Sequence, residues 1–277
     1  MKKDRTAIAL TVAGSDSSGG AGIQADLKTF SALGVYGASA ITALTAQNTT
    51  GVDEVMAVPP EFVLAQMRAV ASDLDVAAIK IGMLATDETV EAVATGLEAF
   101  PDVPVVLDPV MVSTSGALLL DETAIDILRD RLVPRVTLIT PNLAEGAALL
   151  GEPPESREQM LEGRATRLLE LGPGAVLLTG GESMAETALD IYADANGVER
   201  IEAPRHETRN THGTGCTLSS AIAAELAKGE SLEKAIKLAK MYVTAAVIAA
   251  DELTVGQGNG PVHHFHALWP RADAKPD

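Results

Sequence analysis

Short β-branched runs alternate with longer amphipathic stretches over nearly the whole chain, and this alternation confines the fold more tightly than any other feature. Ile8–Val12, Ser39–Leu44, Ala78–Ile81, Val105–Leu107, Val136–Ile139 and Ala175–Leu178 read as strands. Ala21–Leu33, Glu61–Ser72, Glu88–Ala99, Thr123–Arg131, Asn142–Leu150, Gln159–Leu171, Thr217–Ala227 and Leu232–Ala250 read as helices. Strand–helix–strand order lays successive strands side by side in parallel and puts helices on both faces. Leu189–Ala193 and Arg200–Ala203 leave no room for a helix between them and predict an antiparallel edge. The fold class is therefore α/β with a mostly parallel central sheet. A chain of 277 residues can bury one large core or two small ones. No composition break marks a linker, and Pro153-Pro154 reads as a turn between helices.

Composition narrows the classes of function. With 47% hydrophobic and 21% charged residues the chain is globular, and no apolar run approaches the roughly 18 residues of a membrane span. Lys2 and Lys3 precede an apolar stretch, Ala7–Ala13, which runs directly into Gly14-Ser15-Asp16 and reads as a first strand rather than a signal peptide. The single cysteine excludes an intrachain disulfide and fits a reducing cytoplasm. A net charge of −17 argues against nucleic-acid or anionic-membrane partners. It also obliges any phosphate site to offset the field locally with N–H groups, a cation or a metal. Arg164, Arg167 and the charges of Lys228–Lys240 read as solvated helix faces.

Ligands of open α/β sheets sit beyond the carboxyl ends of the strands. Gly14-Ser15-Asp16, Gln47-Asn48, Gly82-Met83, Asp108-Pro109, Thr140-Pro141-Asn142 and Thr179-Gly180-Gly181 all fall there, which predicts one site drawn from most strands. Thr211-His212-Gly213-Thr214-Gly215-Cys216 carries the most chemistry. Two glycines one residue apart let backbone N–H groups turn toward a common point, and the helix that follows offers the positive end of its dipole to an anion. Phosphoryl transfer further needs a metal held by carboxylate or water and an acceptor for the hydroxyl proton. Asp108, Asn142 and Glu145 are candidates to place Mg²⁺. Cys216 is the candidate acceptor, since a helix N-terminus lowers a thiol from about 8.5 toward 7 or below. Its plain alternative is an inert cysteine filling space under a helix.

Rival chemistries fare worse. Gly20-Ala21-Gly22-Ile23-Gln24-Ala25 matches G-x-G-x-x-A, yet Leu27–Val52 contains no Asp or Glu to hold the ribose of a dinucleotide. No P-loop and no protein-kinase H-R-D or D-F-G motif occurs. His212 precedes a turn, and nothing in the sequence fixes its ring toward Cys216 as a hydrolase would require. His263-His264-Phe265-His266 offers adjacent side chains that point apart, which suits packing and local hydrogen bonds better than one tetrahedral ion.

Ala13-Gly14-Ser15-Asp16-Ser17-Ser18-Gly19-Gly20-Ala21-Gly22-Ile23-Gln24-Ala25-Asp26-Leu27-Lys28-Thr29 resembles the N-terminal signature of the bacterial hydroxymethylpyrimidine/phosphomethylpyrimidine kinases of thiamine biosynthesis. Ile41–Thr49, Lys80–Leu84, Ile139–Asn142 with Glu145, Asn210–Ser219 and Gly260–Ala267 extend the likeness in the right order. The resemblance implies a single ribokinase-like domain over 1–277, a three-layer αβα sandwich, and a cytoplasmic homodimer using ATP with Mg²⁺. It implies two transfers, first to 4-amino-5-hydroxymethyl-2-methylpyrimidine and then to its monophosphate. By matching position, Gln47 would recognise the aminopyrimidine, and Gly14, Ala21, Thr45, Met83 and Val110 would line its pocket. Cys216 would act as base where the wider superfamily has Asp, with Gly213 and Gly215 around the transferring group. Asn142, Thr179, Thr211 and Thr214 would contact nucleotide, and Asp108 and Glu145 would place Mg²⁺, directly or through water. The chain has Thr179-Gly180-Gly181-Glu182 where the family commonly has Lys-Gly-Gly-His. A pyridoxal/pyridoxine kinase and a ligand-binding sensor that has lost transfer are the competing readings.

Overall fold

The computed structural model describes residues 5–111, 122–153, 160–180 and 187–269. The strands are β1 (Ile8–Asp16), β2 (Tyr36–Asn48), β3 (Gly51–Ala57), β4 (Ala78–Ile81), β5 (Val105–Leu107), β6 (Leu138–Ile139), β7 (Ala175–Thr179), β8 (Thr187–Asp194) and β9 (Gly197–Pro204). All nine share one sheet in the order β3-β2-β1-β4-β5-β6-β7-β8-β9. The strands from β2 to β7 in that order run parallel, while β3 at one edge and β8 and β9 at the other pair antiparallel. The chain leaves β1 for β2 on one side and returns to β4 on the other, so the strand order reverses at β1. Such a reversal opens a crevice at the carboxyl ends.

The helices are α1 (Gly22–Ala32), α2 (Pro60–Ala71), α3 (Asp87–Gly96), α4 (Glu122–Ile127), α5 (Leu143–Leu149), α6 (Leu161–Leu169), α7 (Thr214–Ala227) and α8 (Leu232–Ile248). Strand residues alternate between two cores, as the two-residue period requires. Leu10, Ile79, Ile81, Leu107, Ile139 and Leu178 meet Val63, Met67, Val90 and Leu168 of α2, α3 and α6. Ala9, Ala78, Val106, Leu138 and Leu177 face Phe30, Leu218, Ile222 and Ile236 of α1, α7 and α8. The result is three layers, α on β on α. Small strand residues on the second face let α7 lie close, and ten of its fourteen residues are buried. No helix among the described residues is long and apolar enough to cross a membrane.

Four local expectations need correction. Strand β2 continues past Leu44 to Asn48 and turns back through Thr49-Thr50 into β3. Asn48 Oδ1 accepts from Thr50 N at 2.8 Å and Gly51 N at 3.2 Å and closes that turn. Helix α7 starts at Thr214, three residues before the expected Thr217, so Cys216 lies in its first turn. Of Val136–Ile139 only Leu138–Ile139 forms a strand. Arg164 and Lys240 are not solvated: Arg164 is buried against Glu152 Oε2 at 3.2 Å and Leu143 O at 3.3 Å, and Lys240 pairs with the buried Asp190. The expected helix start at Gln159 lies outside the described residues.

Candidate active site

At the carboxyl end of β1 the chain folds around the Asp16 carboxylate. Its oxygens accept from Ser18 N (2.8 Å), Gly20 N (3.1 Å), Ala21 N (2.8 Å) and His212 Nε2 (2.9 Å). Burial disfavours this carboxylate and is the largest single influence. The hydrogen bonds from His212, Ser18 and Ala21 together outweigh it and hold the pKa below the usual carboxylate range. The ordered turn sets Gly20 directly under the entry to α7. A Cβ on Gly20 would stand 2.4 Å from His212 Cδ2, and one on Gly213 would stand 2.0 Å from Gly20 O. Gly213 also has φ +79°, in the left-handed region. Two glycine segments thus nest into each other.

Gly215 differs. A Cβ there would meet only Asp108 Oδ2, at 3.8 Å, so packing does not demand glycine and the space over the residue is open. Thr214 N and Oγ1 both donate to Thr211 O, at 3.2 and 2.7 Å, which commits the Thr214 hydroxyl proton. The half-buried Cys216 sulfur accepts from the Gly22 backbone N–H. This brings Cys216 beside the start of α1, which the bridge Ser15–Gly22 ties to the end of β1. Gly14 abuts Met83, whose sulfur a Cβ on Gly14 would approach to 3.0 Å. Gln47 stands between Thr45 Oγ1 (3.1 Å) and His212 Nε2 (3.4 Å), and Thr45 Oγ1 also donates to Ser15 O at 3.0 Å. Gly14, Ala21, Thr45, Gln47, Met83, Gly213 and Cys216 are therefore linked around the switch point, several of them through Ser15, Asp16, Gly20, Gly22 and His212. Val110 follows Asp108 closely, its N–H donating to Asp108 O at 2.8 Å, just before the segment outside the described residues.

Beneath this floor lies a buried charge cluster. Lys80 Nζ stands 3.0 Å from both Asp26 oxygens. Thr11 Oγ1 and Ser220 Oγ donate to the same carboxylate, each at 2.6 Å. Asp108, also buried, accepts from Ser219 Oγ at 3.1 Å. Burial pushes Asp108 above the usual carboxylate range, against the opposing pull of Lys80. Burial likewise pushes the Cys216 thiol up to about 12; Lys80 opposes the rise and Asp108 and Asp26 add to it. The expected depression of this thiol at a helix N-terminus is thus overturned: desolvation beside two carboxylates exceeds the pull of the helix end. Asp16 and His212 lay in the expected segments without an assigned role, while Lys80 and Asp26 were absent from the expected site. Their signals were a lone lysine in the apolar run Ala78-Ile79-Lys80-Ile81 and an acid, Asp26, on the apolar face of α1.

Farther along the same rim, Asn142 and Glu145 form a capping box on α5. Asn142 Oδ1 accepts from Glu145 N at 2.9 Å, and Glu145 Oε2 accepts from Asn142 N at 2.8 Å. Thr179 is bridged to Asn142, its N–H donating to Pro141 O at 2.8 Å. Gly180 N donates to Asp190 at 3.2 Å, while Gly181 and Glu182 lie outside the described residues. Thr211 is exposed. The His263–His266 segment packs beside α7: His264 Nε2 meets Thr217 Oγ1 at 3.1 Å, and His266 Nδ1 meets His263 O at 3.1 Å.

Comparison with known proteins places this geometry. The phosphomethylpyrimidine kinase family profile matches residues 16–263. A hydroxymethylpyrimidine/phosphomethylpyrimidine kinase of Rhizobium meliloti (strain 1021) is 56% identical over 264 residues, covering 95% of this chain and 99% of that protein. An ADP complex of Bacillus subtilis pyridoxal kinase superposes with a TM-score of 0.87 at 37% identity, over 95% of this chain and 99% of the other. The phosphomethylpyrimidine kinase of Clostridium difficile 630 superposes with a TM-score of 0.76 at 41% identity, over 87% and 99%.

Proposed function

The chain belongs to the phosphomethylpyrimidine kinase family, and from that premise we propose that it transfers the terminal phosphoryl group of ATP to 4-amino-5-hydroxymethyl-2-methylpyrimidine and then to the monophosphate, in thiamine biosynthesis. The observation that carries the reading is the junction of α1 and α7 at the switch point. There Gln47 lies against His212 and Cys216 against Gly22, the space over Gly215 is open, and Gly213 is locked against Gly20.

Gln47 supplies a planar donor and acceptor for the aminopyrimidine edge. Gly14, Ala21, Thr45, Met83 and Val110 wall the ring. The N–H groups of Gly215 and Cys216, in the first turn of α7, face the transferring phosphoryl oxygens, while Thr214 N is taken by Thr211 O. Gly213 keeps that turn in register against the entry to α1. Cys216 stands at the hydroxymethyl end as the proton site; its thiol is neutral in the free protein and must release its own proton before it accepts that of the alcohol. Asn142 and Thr179, adjacent on the rim, receive the nucleotide together with Thr211 and Thr214.

Mg²⁺ retains water and takes one or two carboxylates when it accompanies nucleotide phosphates, neutralising their charge. The donor set fits that form. Asp108 Oδ2 lies close below Gly215, Glu145 is held in the capping box, and no group of three His, Cys, Asp or Glu among the described residues makes a dedicated cage. Exposed Leu44 and Met56, paired across β2 and β3, support a homodimer.

The pyridoxal kinase of Bacillus subtilis superposes over nearly the whole chain, which favours pyridoxal as a second substrate. A product assay decides. The protein with ATP, Mg²⁺ and hydroxymethylpyrimidine is expected to give mono- and then diphosphate, with a higher kcat/KM than for pyridoxal. A large preference for pyridoxal would reverse the assignment, and pyrimidine binding without ATP consumption would make the protein a sensor.

A further inference from the structure

The end of β2 that carries Gln47 reaches past the body of the sheet. Strand β1 pairs with β2 only as far as Asp16 opposite Thr45, so Ala46–Asn48 have β3 on one side and no strand on the other. Strand β3 is itself the edge of the sheet, and its residues 53–57 are exposed. A two-stranded ribbon without a packed face is marginal by itself. Ser17 Oγ holds its inner side, donating to Gln47 O at 2.7 Å and accepting from Gln47 N at 2.9 Å. The tip is held by a segment 208 positions later in the chain. Thr49 Oγ1 accepts from Gln257 N at 3.2 Å and Gly258 N at 3.1 Å, and Thr49 O accepts from Asn259 N at 2.9 Å. The fit is close: a Cβ on Gly256 would overlap the Thr49 side chain, and one on Gly258 would overlap its carbonyl.

The same segment goes on to the other half of the site. His212 N donates to Gly260 O at 3.0 Å, Val262 N donates to His212 O at 3.3 Å, and Pro261 is bridged to His212. Farther on, His264 Nε2 meets Thr217 Oγ1 of α7 at 3.1 Å, and that hydroxyl is 2.7 Å from Gly213 O. The far end is pinned to α8, where His263 N donates to Ala246 O at 3.0 Å and Tyr242 Oη donates to His264 O at 2.6 Å. Residues 256–264 therefore run from the ribbon tip beside Gln47 to the turn at Gly213.

We propose that residues 256–264 are a strap that fixes Gln47 relative to the first turn of α7, with Thr49 as the positioning residue that receives it on the ribbon. This rests on Gln47 being the pyrimidine partner and that turn being the phosphoryl site, as argued above. A ring held on an edge ribbon must present its hydroxymethyl group to a phosphoryl group held on a helix. If the two supports move separately, the alcohol leaves the line of transfer, and a displacement of about 1 Å costs on the order of 100-fold in rate. One short segment bonded to both makes them move as one body.

The test measures kcat and both KM values for two variants outside the proposed pocket. Thr49→Val keeps the shape and removes the hydroxyl acceptor. Gly256→Ala pushes the exposed loop off Thr49 and leaves the ribbon unaltered. Each should raise KM for 4-amino-5-hydroxymethyl-2-methylpyrimidine and lower kcat, cutting kcat/KM about tenfold, the scale of one or two hydrogen bonds, with KM for ATP unchanged. Thr49→Ser returns the hydroxyl and should return both constants to those of the unaltered protein. A lower kcat with both KM values unchanged is the mark of fewer active molecules, and overturns the proposal. Unaltered constants in either variant overturn it too, as does a Thr49→Ser as impaired as Thr49→Val; if one variant does not fold, the other decides. All of these leave the kinase assignment standing. Absence of transfer in the unaltered protein removes that assignment, and this proposal with it.

Discussion

Cys216 is where local geometry and burial pull in opposite directions. The first turn of α7 favours a thiolate, but burial raises the thiol to about 12, with Asp108 and Asp26 adding to the rise and Lys80 and the Gly22 N–H opposing it. At pH 8 on the order of one molecule in ten thousand then holds a thiolate. Iodoacetamide is expected to alkylate Cys216 in the free protein on the order of a hundredfold more slowly than a free thiol, allowing for the greater nucleophilicity of a high-pKa sulfur. Reaction at the free-thiol rate would remove the burial argument. The same shift has a stability sign. The unfolded thiol ionises first, so its contribution falls as pH rises from about 8.5 toward 12. Cys216→Ala should keep nucleotide binding and lose most turnover, and Cys216→Asp should retain some. Unchanged kcat in Cys216→Ala would reduce the sulfur to a wall of the pocket. Gly213 and Gly215 look alike in sequence, yet one is required by a backbone 2.0 Å from its missing Cβ and the other only by the space above it.

Among the elements, α5 has a cap residue that is also a proposed nucleotide contact. Asn142 caps the helix by accepting from Glu145 N and sits beside Thr179 on the rim proposed for the nucleotide. Asn142→Ala should cost about 1 kcal/mol in chemical denaturation, the usual worth of an N-cap. Asn142→Asp keeps an acceptor and should unfold at nearly the same denaturant concentration, while its added charge raises KM for ATP. Equal KM values for Asn142→Asp and the unaltered protein would leave Asn142 a cap alone. This capping box was legible, because the Asn-x-x-Glu spacing prints it in the chain. Strand β3 was not. Its residues Gly51–Ala57 are almost all exposed and mix Asp53 and Glu54 with Val55 and Met56, so no two-residue alternation marks it. Pairing with β2 holds it there. Likewise the early start of α7 at Thr214 follows from Gly213 docking on Gly20, a contact between residues almost two hundred positions apart.

Over the whole molecule, the Lys80–Asp26 pair ties the sheet to one helical layer: β1 through Thr11, β4 through Lys80, α1 through Asp26 and α7 through Ser220. Both charges are fully buried. Burial alone would lower the lysine, but Asp26, Cys216 and Asp108 hold it above its ordinary value. Its stabilising share is therefore complete at neutral pH and is lost only as pH climbs above about 10.4. Lys80→Met leaves Asp26 buried without its cation and should destabilise by about 3–5 kcal/mol in urea unfolding. Lys80→Met/Asp26→Leu should recover much of that, as replacement of a whole buried pair does. A Lys80→Met variant as stable as the parent would show that the pair does not hold the layers.

The alternation of strand and helix determined the parallel sheet, because side-chain period and turn chemistry are written locally. The glycine and polar residues after each strand fixed which rim would carry the site, since parallel strands place all their carboxyl ends together. Which glycine is packed and which is open was decided only when β1, α1 and α7 closed on one another. The protonation of Cys216 and the burial of Lys80 and Asp26 belong to that closure too. So does the pairing of Asp16 with His212 beside Gln47. Desolvation and hydrogen-bond partners come from residues far apart in the chain, and no local pattern records who will face whom.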